Sequence, residues 1–159
     1  MPKKILVVED DEDIKKLLKS ILLSEGFKVI LAEEGIEAIN KTYNENPDLI
    51  VLDILLPEMD GYQVCRLLKN DKKYQHIPII MLTAKSHFWD RFRGMHTGAD
   101  RYIIKSEAGF SLLDIVDIIK EMLGENLIDQ QKSGEDRRKG RDDRRQTKED
   151  RRRKTEVAE

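Results

Sequence analysis

The chain has one cysteine, four prolines and one tryptophan in 159 residues. It also has no apolar run approaching the roughly 20 residues that a membrane-spanning helix needs. Cys65 alone cannot close an internal disulfide, which fits a reducing compartment. Cys/His metal clusters are excluded as well, because His76, His87 and His96 stand at no ligand spacing. The apolar run after Met1-Pro2-Lys3-Lys4 is too short for a secretory signal. These absences together lead us to expect a soluble, cytoplasmic protein with no membrane partner, long enough for one core and an appendage.

Charge is abundant, at 38% of residues, and unevenly placed. Residues 1–129 hold 17 Lys+Arg against 23 Asp+Glu, whereas residues 130–159 hold 12 against 8. The later segment has only Val157 and Ala158 as apolar residues, too few to build a core.

Within the first segment, short apolar runs alternate with amphipathic stretches. Ile5-Leu6-Val7-Val8 is β-prone and stops at Glu9-Asp10-Asp11, as a buried strand entering an acidic turn would. Ile14, Leu17, Leu18, Ile21 and Leu22 then recur at helical spacing, with Lys15, Lys16 and Lys19 between them and Gly26 as a stop. The pattern continues as strand over 28–32, helix over 35–44, strand over 49–53 and helix over 62–68. It ends with strand over 77–82, helix over 88–96, strand over 102–104 and helix over 112–123. Five strands alternating with five helices predict βαβ units and an α/β, doubly wound parallel sheet covered on both faces. Cys65 is expected in packing and Trp89 on an exposed helix surface.

In such a sheet, chemistry collects at the carboxyl ends of the strands. There the sequence puts Glu9 and Asp10 after the first strand, Asp53 at the third, Thr83 at the fourth and Lys105 after the fifth. Neighbouring strands lie about 4.8 Å apart. Two unit charges at ~4 Å repel by about 4 kcal/mol at an effective dielectric near 20, so these acids call for a bridging cation. Oxygen ligands without Cys or His favour Mg²⁺. A carboxylate nucleophile beside Mg²⁺, with a hydroxyl and an ammonium for phosphate oxygens, is equipment for phosphoryl transfer onto Asp. In that reading Asp53 attacks in line, Thr83 donates a hydrogen bond to the phosphoryl group and Lys105 neutralises its charge. The plainer alternative makes Asp53 a helix cap and Lys105 a surface residue.

At these residues the sequence resembles the receiver domain of bacterial two-component response regulators, of the chemotaxis-regulator-like kind. The matching pieces are Ile5-Leu6-Val7-Val8-Glu9-Asp10-Asp11, Asp48-Leu49-Ile50-Val51-Leu52-Asp53, Leu56-Pro57-Glu58-Met59-Asp60-Gly61, Thr83-Ala84 and Gly98-Ala99-Asp100-Arg101-Tyr102-Ile103-Ile104-Lys105. The resemblance implies a five-stranded, flavodoxin-like sheet of order 2-1-3-4-5. It implies that Asp53 is the phosphoacceptor, that Glu9 and Asp10 are the acid pair binding Mg²⁺, and that Leu55 supplies a backbone carbonyl. It further implies that Thr83 and Lys105 contact the phosphoryl group and that Tyr102 is an aromatic switch coupled to Thr83. One departure is Ser106, where receivers usually have a cis proline; a non-proline cis bond costs about 2.5–4 kcal/mol, so Lys105–Ser106 is expected to be trans.

The sequence thus divides into a receiver domain at 1–124 and a charged tail at 125–159. The tail repeats Glu135-Asp136-Arg137-Arg138, Asp142-Asp143-Arg144-Arg145 and Glu149-Asp150-Arg151-Arg152 at a period of seven. These heptads lack the apolar seam of a coiled coil. Ion pairs at helical spacing give about 0.2–0.5 kcal/mol each, and Gly140 costs about 1 kcal/mol against Ala. A disordered or transiently helical polyampholyte is expected. An acidic or repeat-matched protein partner is a second reading. A nucleic-acid arm is disfavoured, because carboxylates precede each Arg pair and no aromatic residue could stack on bases.

The function these features imply is phosphorelay signalling. A sensor histidine kinase or a histidine phosphotransfer protein would donate the phosphoryl group, and a protein-binding surface would switch. The chain would be a switch more than an enzyme, with Mg²⁺-dependent self-phosphorylation and dephosphorylation as its only chemistry. Because the tail has too few apolar residues for a helix-turn-helix core, its output is expected through protein contact. An Asp-nucleophile phosphatase is the alternative; such enzymes usually place a second Asp two residues after the nucleophile, where this chain has Leu55. A flavin-binding protein of similar topology is disfavoured by the acidic first loop.

Overall fold

The computed structural model describes residues 1–84, 96–105 and 111–125. His87, Trp89, the helix expected over 88–96 apart from its last residue, the Lys105–Ser106 bond and the repeat tail lie outside the described residues. The described elements are β1 (Lys4–Val8), α1 (Glu12–Ser24), β2 (Lys28–Ala32), α2 (Gly35–Glu45), β3 (Leu49–Leu52), α3 (Gly61–Asn70), β4 (Ile79–Thr83), β5 (Arg101–Ile104) and α4 (Asp114–Met122). No helix among the described residues is long and apolar enough to cross a membrane.

The five strands form one parallel sheet of order β2-β1-β3-β4-β5, as expected. Side chains alternate across the strands, and both faces are buried, which is why the strands read as continuous apolar runs. Leu6, Val8, Ile50, Leu52, Ile79 and Met81 pack on one face with residues of α2 and α3. Ile5, Val7, Leu49, Val51, Ile80 and Leu82 pack on the other with residues of α1 and α4. Met1–Leu123 makes up one compact unit.

Local chemistry sets the helix ends. The Asp11 carboxylate accepts from the backbone N–H groups of Asp13 and Ile14 at 3.0 Å each, capping α1. Asp60 and Gln63 form a reciprocal capping box that starts α3. Asn46 ends α2 in the left-handed region, at φ 47°.

Two details differ from the sequence expectation. β4 begins at Ile79 and runs to Thr83, two residues later than expected at its start. Pro78 has no N–H for the ladder, and the Ile79 N–H goes to the Asp100 carboxylate at 2.8 Å. In α1 the buried residues are Lys15, Leu18 and Leu22, whereas Leu17 is 48% exposed. The buried stripe is therefore rotated towards a lysine.

Candidate functional site

Backbone pairing brings the site together. Val8 is level with Leu52 across β1 and β3, so the residues that follow, Glu9 and Asp53, emerge side by side. The ladder continues past the strands: Glu9 N–H donates to Ala32 O at 3.0 Å, Asp53 N–H to Val8 O at 3.0 Å and Lys105 N–H to Thr83 O at 2.7 Å. Glu9, Asp53, Thr83 and Lys105 thus lie at the carboxyl edge of four adjacent strands because of main-chain bonds.

Asp53 is 5% exposed and Glu9 3%. The Lys105 ammonium bridges them, at 2.6 Å from Glu9 Oε2 and 3.3 Å from Asp53 Oδ2. Asp53 Oδ1 accepts from the Leu55 N–H at 3.2 Å, and Glu9 Oε1 from the Asp11 N–H at 3.2 Å. Glu9, Asp10 and Asp53 each offer a carboxylate oxygen, all within 4.8 Å of one another, and only Asp10 is exposed. Thr83 is fully buried as the last residue of β4. Tyr102, in β5, is half-buried and packs against the cluster that contains Met81 and Ile79. The structure therefore places Glu9, Asp10, Asp53, Leu55 and Lys105 around one point. Thr83 stands beside Lys105 through the backbone, and Tyr102 lies three residues upstream of that lysine.

The electrostatics are those of a site with too much negative charge. Burial, reinforced by the neighbouring Asp53 charge, raises the Glu9 pKa from 4.5 to about 7, against the lowering effect of Lys105. Burial works against the Lys105 ammonium, but the Glu9 hydrogen bond and the two carboxylates outweigh it and hold its pKa above the usual value. Three carboxylates converge where one ammonium pairs with only two of them, Glu9 and Asp53, and the side-chain ligand atoms on offer are all oxygen. That set fits a hard divalent cation that keeps some of its water.

Two residues gained importance only from the structure. Gly61 opens α3 against the backbone of Asp53: a Cβ there would lie 2.2 Å from Asp53 O and 2.8 Å from Ile54 Cα. The Asp60-Gly61 pair ahead of a helical pattern was the available signal. Lys15 is 6% exposed and pairs with Glu12 and Glu33; no sequence signal announced it. The remaining candidates are structural. Cys65 is buried, its Sγ–H directed at Thr97 O at 3.6 Å, and burial pushes its thiol pKa up. His76 and His96 are exposed.

Comparison with known proteins gives a consistent picture. The family model of the response regulator receiver domain matches residues 5–117. The alkaline phosphatase synthesis transcriptional regulatory protein PhoP of Bacillus subtilis is 49% identical over 105 residues, 66% of this chain and 43% of that protein. The chain thus spans less than half the length of that curated relative. Among solved structures, a CheY-like response regulator receiver domain protein of Methanospirillum hungatei superposes with a TM-score of 0.71. It is 33% identical, over 79% of this chain and 96% of that one. The Mn²⁺-bound form of response regulator Rcp1 superposes with a TM-score of 0.67 at 28% identity, over 75% of this chain and 92% of that one.

Proposed function

The chain belongs to the response regulator receiver domain family, and from that premise we propose that Asp53 is its phosphoryl acceptor in a phosphorelay. The donor would be a phosphohistidine on a sensor kinase or phosphotransfer protein. An Asp53 carboxylate oxygen attacks phosphorus; the O–P bond forms as the P–N bond breaks, and the imidazole leaves with the electron pair. The observation that carries this reading is the convergence of Lys105 on both Glu9 and Asp53 at the sheet edge.

Glu9, Asp10 and Asp53 would hold Mg²⁺, with the Leu55 carbonyl as a further ligand. When bound, the ion supplies charge neutralisation for the phosphoryl oxygens. Lys105 is poised to exchange its contact with Asp53 Oδ2 for a phosphoryl oxygen, and Thr83 to hydrogen-bond another. Asp53 itself is buried, and lower polarisability around it strengthens each of these interactions. The phosphatase alternative gains nothing from the geometry, since Leu55 brings no second carboxylate and its side chain is 49% exposed.

A phosphoryl group held by Thr83 and Lys105 would tie the ends of β4 and β5 together, and Tyr102 lies on the strand between those loops. That arrangement supports a switch of Tyr102 and of the surface around β5 and α4. Moving such a switch from 1% to 99% active takes about 5.5 kcal/mol of differential binding, so a partly active resting population is expected. Its output would pass through a protein partner.

Incubation with a small-molecule phosphodonor, followed by intact-mass analysis, tests the acceptor. Wild type with Mg²⁺ should gain one phosphate; Asp53→Ala, or wild type with chelator, should gain none. Equal labelling of Asp53→Ala would refute the assignment.

A further inference from the structure

The turn between β1 and α1 carries Glu9 and Asp10, and it is closed at both ends. At its start, Glu9 N–H donates to Ala32 O at 3.0 Å. At its far end stands Glu12, the first residue of α1, and Glu33 is the first residue after β2. Between these two carboxylates lies the Lys15 ammonium, hydrogen-bonded to both. Glu12 and Glu33 are more than half exposed, whereas the Lys15 side chain is only 8% exposed. The lysine is therefore packed in place and the acids come to it. Inside this bracket, Asp11 is fully engaged: its carboxylate caps α1, its N–H holds Glu9 Oε1 and its C=O accepts from the Lys15 N–H at 2.9 Å. Asp10 is the remaining member, with its carboxylate exposed toward Glu9 and Asp53.

We propose that Lys15 is a positioning residue for the divalent-cation site: by clamping Glu12 to Glu33 it fixes the turn that presents Asp10. The proposal rests on the metal-binding reading given above. Without the ammonium, Glu12 and Glu33 would face each other as like charges, and their repulsion would push the α1 start away from the β2 end. The turn would then be fastened only at Glu9. Partners that orient a metal ligand from outside the coordination shell typically matter about 10–100-fold in affinity.

Charge and position predict opposite outcomes, which makes the idea testable. Removing a positive charge from the helix that follows Glu9 and Asp10 should tighten cation binding by electrostatics alone, whereas loss of the clamp should weaken it. Mg²⁺ titration calorimetry on the full, unphosphorylated chain is the measurement, at fixed ionic strength and well below the melting temperature. Lys15→Met keeps the buried stem and should bind Mg²⁺ about tenfold more weakly, while Lys15→Arg should stay near wild type. Unchanged or tighter binding by Lys15→Met would overturn the proposal, even with a lowered melting temperature, because a purely stabilising lysine would leave the affinity of the folded protein alone. A second pair decides the matter if Lys15→Met does not fold. Glu33→Gln and Glu34→Gln each remove one exposed negative charge, but only the first breaks the clamp. Greater weakening by Glu33→Gln supports the role, and equal weakening refutes it. If wild type itself fails to bind Mg²⁺, the metal site is wrong and the positioning role falls with it; if wild type binds and Lys15→Met binds equally, only the positioning role fails.

Discussion

In protein stripped of divalent ions, Glu9 should make stability fall as pH rises across a range where most proteins are at their most stable. Its pKa is raised from 4.5 to about 7 by burial and by Asp53, with Lys105 only partly offsetting them. Below pH 4.5 the carboxyl is protonated in both the folded and the unfolded chain, and it contributes no pH dependence. Between 4.5 and about 7 the unfolded chain releases the proton and the folded protein keeps it, so the folded state is progressively disfavoured. At about 1.36 kcal/mol per pH unit, the interval amounts to about 3 kcal/mol. For a unit of this size that is roughly 10 °C in melting temperature. Because Glu9, Asp53 and Lys105 interact closely, the midpoint belongs to the cluster and not to Glu9 alone. Thermal or urea unfolding in chelator from pH 5 to 8, on wild type and Glu9→Gln, isolates the effect, since every other titrating group is common to both. Wild type should lose stability relative to Glu9→Gln as pH rises. Mg²⁺ at a hundred times its dissociation constant should restore about 2.7 kcal/mol to wild type at pH 8. Parallel pH profiles for the two proteins would refute the reasoning.

Gly61→Ala should cost about 3 kcal/mol, because the new Cβ meets backbone at Asp53 and Ile54 and not a yielding side chain. Phosphodonor labelling should fall with it, since the carbonyl displaced is that of the proposed acceptor; full labelling with unchanged urea midpoint would contradict this. Truncation after Gln130 removes only two apolar residues, Val157 and Ala158. It should leave labelling unchanged and the melting temperature within about 5 °C, or on the order of 1 kcal/mol; a larger drop would show that the tail contributes to the fold.

Much of this was legible in the residues. Ile5-Leu6-Val7-Val8 and Leu49-Ile50-Val51-Leu52 read as strands because a sheet buried on both faces leaves no polar alternation to obscure them. The site was legible for a related reason: Glu9 and Asp53 are charged residues set directly against apolar runs, where the strand must end. Lys15 escaped notice because helical periodicity assigns a lysine to the wet face, and its two partners only become visible once β2 and α1 are folded together. Helical spacing placed Ile14, Leu18, Ile21 and Leu22 on the core side correctly, but it could not show that Lys15 is buried there while Leu17 is exposed. The start of β4 was obscured by Ile77, which is buried without belonging to the strand; its carbonyl accepts from Lys69 Nζ at 2.8 Å.

The main-chain bonds that carry Glu9, Asp53 and Lys105 to one edge use no side-chain atom of those residues. Placement and side-chain chemistry thus rest on different atoms of the same residues, and the side chain can be changed while the backbone bonds remain. If Asp53 is the acceptor proposed above, a single exchange at position 53 would leave the outline of the molecule intact and that chemistry silent. The same independence lets the edge be rewritten one residue at a time, with the sheet as an unchanging frame.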